Sequence, residues 1–143
     1  MSISIKDNLS PKLRKALRKI KDKRPILEAA GAALEGLTIQ AFRDASIRPT
    51  EWAELSPRTL KAKGGRGNLL IDTPTLIHSI VHITGSDQVE IGTDRAYAAW
   101  LQHGTSRMPA RPFIPVTESG DLTPKARDAV MDAVSSTINS LFK

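Results

Sequence analysis

Hydrophobic positions along the chain change their period twice, and the changes divide it into helical and extended stretches. Leu13, Ala16, Leu17 and Ile20 recur at i, i+3, i+4 and i+7, one face of a helix. Ser10-Pro11 just ahead supplies an N-cap and a proline at the first helical position. Leu27, Ala30, Leu34, Leu37 and Ala41 form a second stripe in steps of 3 and 4, which predicts one helix over about 26–46, ended by Pro49. Gly31 and Gly36 lie inside it and each costs about 1 kcal/mol relative to Ala, so the pair points to close packing against a neighbour. Ser56-Pro57 and Asp72-Thr73-Pro74 open short helices to about Lys63 and Ser79, with the glycine-rich loop 64–68 between them. Trp52 and Leu55 are expected to pack on the core.

The middle of the chain then turns β-branched. Residues 80–84 and 89–91, either side of Gly85-Ser86-Asp87, read as a β-hairpin. Asp94 caps a helix over about 95–103 that carries Tyr97, Trp100 and Leu101, and Gly104 is placed to end it in the left-handed conformation. Pro109, Pro112 and Pro115 punctuate the next stretch, where Phe113, Ile114 and Val116 suggest an edge strand. Thr123-Pro124 opens the last helix, with Ala126, Val130, Val134, Ile138 and Leu141 along one face. The class is α+β: a small, mostly antiparallel sheet packed by a long helix in the N-terminal half and by a C-terminal helix. Residues 1–24 form a basic helical arm, and 25–143 a single domain.

Charge sharpens that division. The net charge of +6 is concentrated in residues 1–24, where nine Lys and Arg face only Asp7 and Asp22; the rest of the chain is nearly neutral. Nine cations exceed what solubility needs, so Lys12, Arg14, Lys15, Arg18, Lys19 and Lys21 are candidates for contact with an anionic partner. The arm carries no aromatic residue for base stacking, so any contact with DNA would be to phosphates and non-specific. A solvated amphipathic helix packed through Leu13, Leu17 and Ile20 remains the alternative.

The chemistry on offer is sparse. There is no cysteine in the 143 residues, which removes disulfides, thiol nucleophiles and cysteine metal sites. The first 24 residues lack the apolar stretch of a signal peptide, and no apolar run is long enough for a membrane span. His78 and His82 are four apart, but two histidines without a third ligand read as ordinary polar residues at a strand edge. Residues 64–67 lack the closing Gly-Lys-Ser/Thr of a phosphate loop. No serine sits in a G-x-S-x-G elbow, and no nucleophile, base and orienter line up. No catalytic, metal or cofactor site is expected, and the chain reads as a non-enzyme.

The most distinctive segment is Tyr97-Ala-Ala-Trp-Leu-Gln-His-Gly-Thr105, followed by Met108-Pro-Ala-Arg-Pro-Phe113. Prolines close to Arg111 pre-order its backbone, which suits protein recognition. This segment resembles the phage virion morphogenesis family, meaning the Mu-like G and tail-completion proteins with related head–tail joining and tail-terminator proteins. Leu55-Ser56-Pro57 with Thr59 and Lys61 resembles the same family, as do Leu69-Leu70-Ile71-Asp72-Thr73 with Leu76, Ser79 and Ile80, and Val89-Glu90-Ile91-Gly92. The blocks keep the family's order over residues 52–116. Pro74 departs from the glycine of a D-T-G form and predicts a firm helix start.

The resemblance implies a structural protein of the virion tail or neck, assembled in the host cytoplasm. Its expected partners are further copies of itself in a closed ring, such as a hexamer, and other tail or head-connector proteins. In that setting Tyr97, Trp100, His103, Arg107, Arg111 and Phe113 are expected at a contact with a neighbouring subunit or tail ring, with Arg111 making a charge-assisted bond across it. A clamp by Arg111 on a carboxylate or helix end of its own chain is the alternative. Non-specific nucleic-acid binding through the basic arm is the rival function, and in a neck ring the same arms would line a channel for DNA.

Overall fold

The computed structural model describes residues 2–5, 22–54, 56–62 and 74–141. Among them a single layer of strands is covered on one face by one long helix, against which a second long helix packs. Strand β1 spans Ser2–Ile5. Helix α1 spans Arg24–Gln40 and carries Pro25 in its first turn, where the missing N–H costs nothing. Ile26, Ala30, Leu34 and Thr38 form its buried stripe. The Thr38 hydroxyl donates to the Leu34 carbonyl at 2.7 Å, so a polar group enters the core already paired.

Helix α1 starts two residues earlier than the sequence predicts and stops at Gln40, not near 46. Local partners compete with the helix there. The Asp44 carboxylate accepts from the Ser46 N–H at 2.9 Å and starts a 3-10 turn over Ala45–Ile47. Arg48 then folds back, its Nε donating to the Ala41 carbonyl at 2.6 Å and its Nη2 to that of Phe42 at 3.2 Å. A guanidinium thus satisfies carbonyls that the helix end leaves open.

Three short helices follow the expected proline and glycine punctuation: α2 at Pro57–Ala62, α3 at Pro74–Ser79 and α4 at Tyr97–His103. Strands β2 (Val81–Thr84) and β3 (Val89–Gly92) form the expected hairpin, closed by the Gly85 N–H on the Gln88 carbonyl at 2.7 Å. Helix α5, Pro124–Leu141, buries Ala126, Val130, Val134 and Ile138 at four-residue steps and packs along α1.

The sheet is antiparallel in the order β1-β3-β2. Here the structure corrects the reading of residues 1–24 as a helical arm, because residues 2–5 are a strand. Ser2-Ile3-Ser4-Ile5 alternates at period two and pairs with β3 from Ser2 opposite Gly92 to Ile5 opposite Val89. The expected helix from Ser10-Pro11, its cations Lys12, Arg14, Lys15, Arg18, Lys19 and Lys21, and the packing of Leu55 lie outside the described residues.

Residues 113–116 are not the edge strand the sequence suggests; only a bridge between Val116 and Leu122 forms there. The segment crosses the interior, and a side chain replaces the missing neighbour strand. The Phe113 and Ile114 N–H groups both donate to Gln102 Oε1 at 3.0 Å, and Gln102 Nε2 donates to the Ile114 carbonyl at 3.3 Å. Buried Gln102 therefore satisfies backbone that a strand would otherwise pair. Trp52 packs as expected: Phe42 meets its ring edge-on at 6.0 Å and the Phe113 ring at 5.1 Å. The Trp52 Nε1 donates to the Pro112 carbonyl at 2.7 Å, and the Arg48 guanidinium carbon lies 3.6 Å from its ring centroid.

Candidate functional site

Helix α4 sorts the residues of the distinctive segment into two groups. Ala98, Leu101 and Gln102 face the core. Trp100, on the opposite side, is 57% exposed, His103 is exposed and Tyr97 is half-buried against the core. The chain leaves α4 through Gly104, whose φ of 76° is positive as expected, although its ψ of 175° is extended and not left-handed helical. A Cβ at Gly104 would meet the Ala110 nitrogen at 2.8 Å, so glycine is required on both counts. Beyond it, Thr105 and Met108 close a tight turn that presents exposed Arg107.

Arg111 and Phe113 are not on that surface. Phe113 is fully buried and Arg111 only 6% exposed. The Arg111 Nε donates to the Ala53 carbonyl at 2.9 Å and its Nη2 to that of Glu54 at 3.0 Å. Its guanidinium ties the proline-rich segment to the loop ahead of α2. This corrects the expectation of an outward bond, and it also differs from the alternative of a carboxylate or helix-end clamp. The outward group from the segment reduces to Trp100, His103 and Arg107, with Tyr97 at its margin.

The sheet adds apolar surface that the sequence reading did not single out. Val81 and Ile83 alternate with His82 and Thr84 and are 47% and 63% exposed. An open groove of about 690 Å³ runs beside Val81 and is also lined by Pro74, His78, Ser79, Asp94 and Arg95. The Ser79 hydroxyl in this groove donates to the Leu76 carbonyl at 2.7 Å and accepts from the Thr93 hydroxyl at 2.5 Å. It makes no bond to His78, so the groove holds no serine–histidine pair.

On its other face β2 is tied to α1 by a small ionic network. His82 Nε2 bonds Glu28 Oε1 at 2.7 Å, and His82 Nδ1 bonds the Glu35 carboxylate. The His82 backbone N–H donates to that same Glu35 oxygen at 3.1 Å, and the Thr84 hydroxyl to Glu28 Oε2 at 2.7 Å. A histidine with a carboxylate on each ring nitrogen is an imidazolium donating twice. Partial burial opposes its charge, yet the two carboxylates outweigh burial and raise its pKa above the ordinary 6.5. The Thr84 and His82 bonds lower the Glu28 pKa in return. The carboxylates sit on opposite ring nitrogens and do not converge; no metal-binding cluster occurs among the described residues. His78 and His82 are on different elements, α3 and β2.

The described residues thus form a helix-backed antiparallel sheet with Val81 and Ile83 exposed on β2 and Trp100 exposed on α4. The model of the phage virion morphogenesis family matches residues 6–139, nearly the whole chain, and this protein belongs to that family. No curated protein and no solved structure matches it.

Proposed function

We propose that this protein completes the tail or neck at the head–tail junction of a phage or prophage virion, as a closed ring of identical copies. The family gives it a structural or assembly role in a phage virion, and the family match across residues 6–139 is the observation that carries the finer reading. The outward Trp100, Val81 and Ile83 support it, because large apolar side chains left in water mark surfaces that meet a partner. Trp100 lies on α4 and Val81 and Ile83 on β2, so two elements supply the exposed apolar side chains. Other tail or head-connector proteins are the remaining partners. Channel DNA is a candidate contact for the basic arm, favoured by its concentration of positive charge.

Virions assembled without a working copy of this chain should accumulate heads and tails that fail to join, visible by negative-stain microscopy. Fully joined particles would overturn the reading. Light scattering after size exclusion should give a discrete closed oligomer, such as six copies, alone or on tail ends. Trp100→Ser should weaken that assembly while leaving monomer stability within about 0.5 kcal/mol, as for a surface substitution.

A further inference from the structure

We propose that β1 is exchanged between copies: β1 of one copy pairs with the outer edge of β3 in the next, in the register it holds here. This inference rests on the ring reading and names the strand that links its subunits.

The two sides of the sheet differ in how firmly they are closed. On the β2 side, the His82 N–H that points away from β3 is already bonded to the Glu35 carboxylate. The His82 ring and the Thr84 hydroxyl are held by Glu28 and Glu35 as well. A strand arriving at that edge must displace charge-assisted bonds, which is one way natural sheets block edge pairing. On the other side, the outer edge of β3 is filled by β1 alone, through four register pairs. Helix α1 packs on β2 and β3, whereas β1 packs extensively on β3 alone among the described elements. A strand held by one short ladder belongs to the least stable part of a fold.

Residues 6–23 join β1 to α1. That length spans roughly 60 Å fully extended, and roughly half as much if the helix expected from the sequence forms. Either reach lets β1 leave its own subunit. Exchange breaks and remakes the same backbone bonds, so the open and closed forms differ mainly in the entropy of the tether. Within a ring, the high local concentration of neighbouring β3 edges favours the exchanged form. Each copy gives one strand and receives one, which is a head-to-tail arrangement that closes by rotation.

The chain contains no cysteine, so introduced thiols report without background. Ser4 and Glu90 are register partners. The Gly85–Gln88 bond sets the alternation in the hairpin, so Ile83 and Glu90 exchange bonds and the Ser4–Glu90 pair is a non-hydrogen-bonded one. Such pairs bring Cα atoms to about 4.5 Å, within disulfide range. Ser4→Cys copies and tagged Glu90→Cys copies are mixed, assembled and oxidised. Exchange predicts a disulfide-linked heterodimer on a denaturing gel, lost on reduction. The double variant Ser4→Cys/Glu90→Cys should run as linked multimers. An oligomer whose double variant runs as internally linked monomers, with no heterodimer from the mixture, would overturn exchange and leave the ring standing. An oligomer whose thiols stay free overturns exchange too. A chain that stays monomeric, alone and with tail ends, removes both ideas.

Discussion

At the scale of single residues, two side chains decide how distant segments are held. Arg111 bonds the carbonyls of Ala53 and Glu54, which are 58 and 57 residues away. Arg111→Ala strands those carbonyls and removes a buried fork, at a cost of about 1.5–3 kcal/mol. A denaturant titration should show that loss in the isolated protein. Arg111→Lys should recover only part of it, since an ammonium cannot reproduce the planar two-donor geometry. His82 carries the pH dependence. Its folded pKa lies above the ordinary 6.5, so the bridge to α1 is at full strength below that pH and fades as pH rises through the raised value. The Glu28 pKa lies below its ordinary 4.5, so that group's contribution appears above pH 4.5 and is lost as acid is added. Between those limits the network stabilises the fold. His82→Asn should therefore lower the unfolding midpoint more at about pH 5.5 than at about pH 8.5. Equal loss at both would show that the bridge does not depend on the proton.

At the scale of elements, α1 offers a matched pair of tests within one helix. A Cβ at Gly31 would meet His82 Cδ2 at 2.5 Å and Val89 Cγ2 at 2.7 Å, because the helix sits that close to the hairpin. Gly31→Ala should cost about 1–3 kcal/mol, overpacking exceeding the gain in helix propensity. At Gly36 a Cβ meets nothing within 4 Å, and Gly36→Ala should stabilise by about 0.5–1 kcal/mol. Thermal melts of the two variants should shift in opposite directions. The sequence flagged both glycines for close packing, and the structure grants this to Gly31 only. Elements marked by local chemistry were legible: the hairpin from its β-branched residues, α2, α3 and α5 from their prolines, and the end of α4 from Gly104, although its start at Tyr97 lies beyond the Asp94 cap that the sequence suggests. The elements misread are those decided by distant partners. The helix end at Gln40 depends on Arg48 folding back. The course of residues 113–116 depends on the Gln102 amide. Strand β1 depends on the edge of β3, and its four alternating residues precede a lysine-rich stretch that reads as helix.

At the scale of the whole molecule, the family could be read from ordered blocks between residues 52 and 116, and the match extends over 6–139. Which residues of the distinctive segment are exposed was legible only in part. Trp100, His103 and Arg107 are outward as expected, but residue order carries no information on whether a cation flanked by prolines points out or in. The pairing of Glu35 with His82, 47 residues apart, left no mark in the sequence either. That pairing bears on how separate copies meet. A bare strand edge in a crowded cell invites filaments. With the Glu35 carboxylate fastened over the His82 N–H, the β2 edge offers one donor fewer to a strand that collides with it, and free copies are held apart on that side.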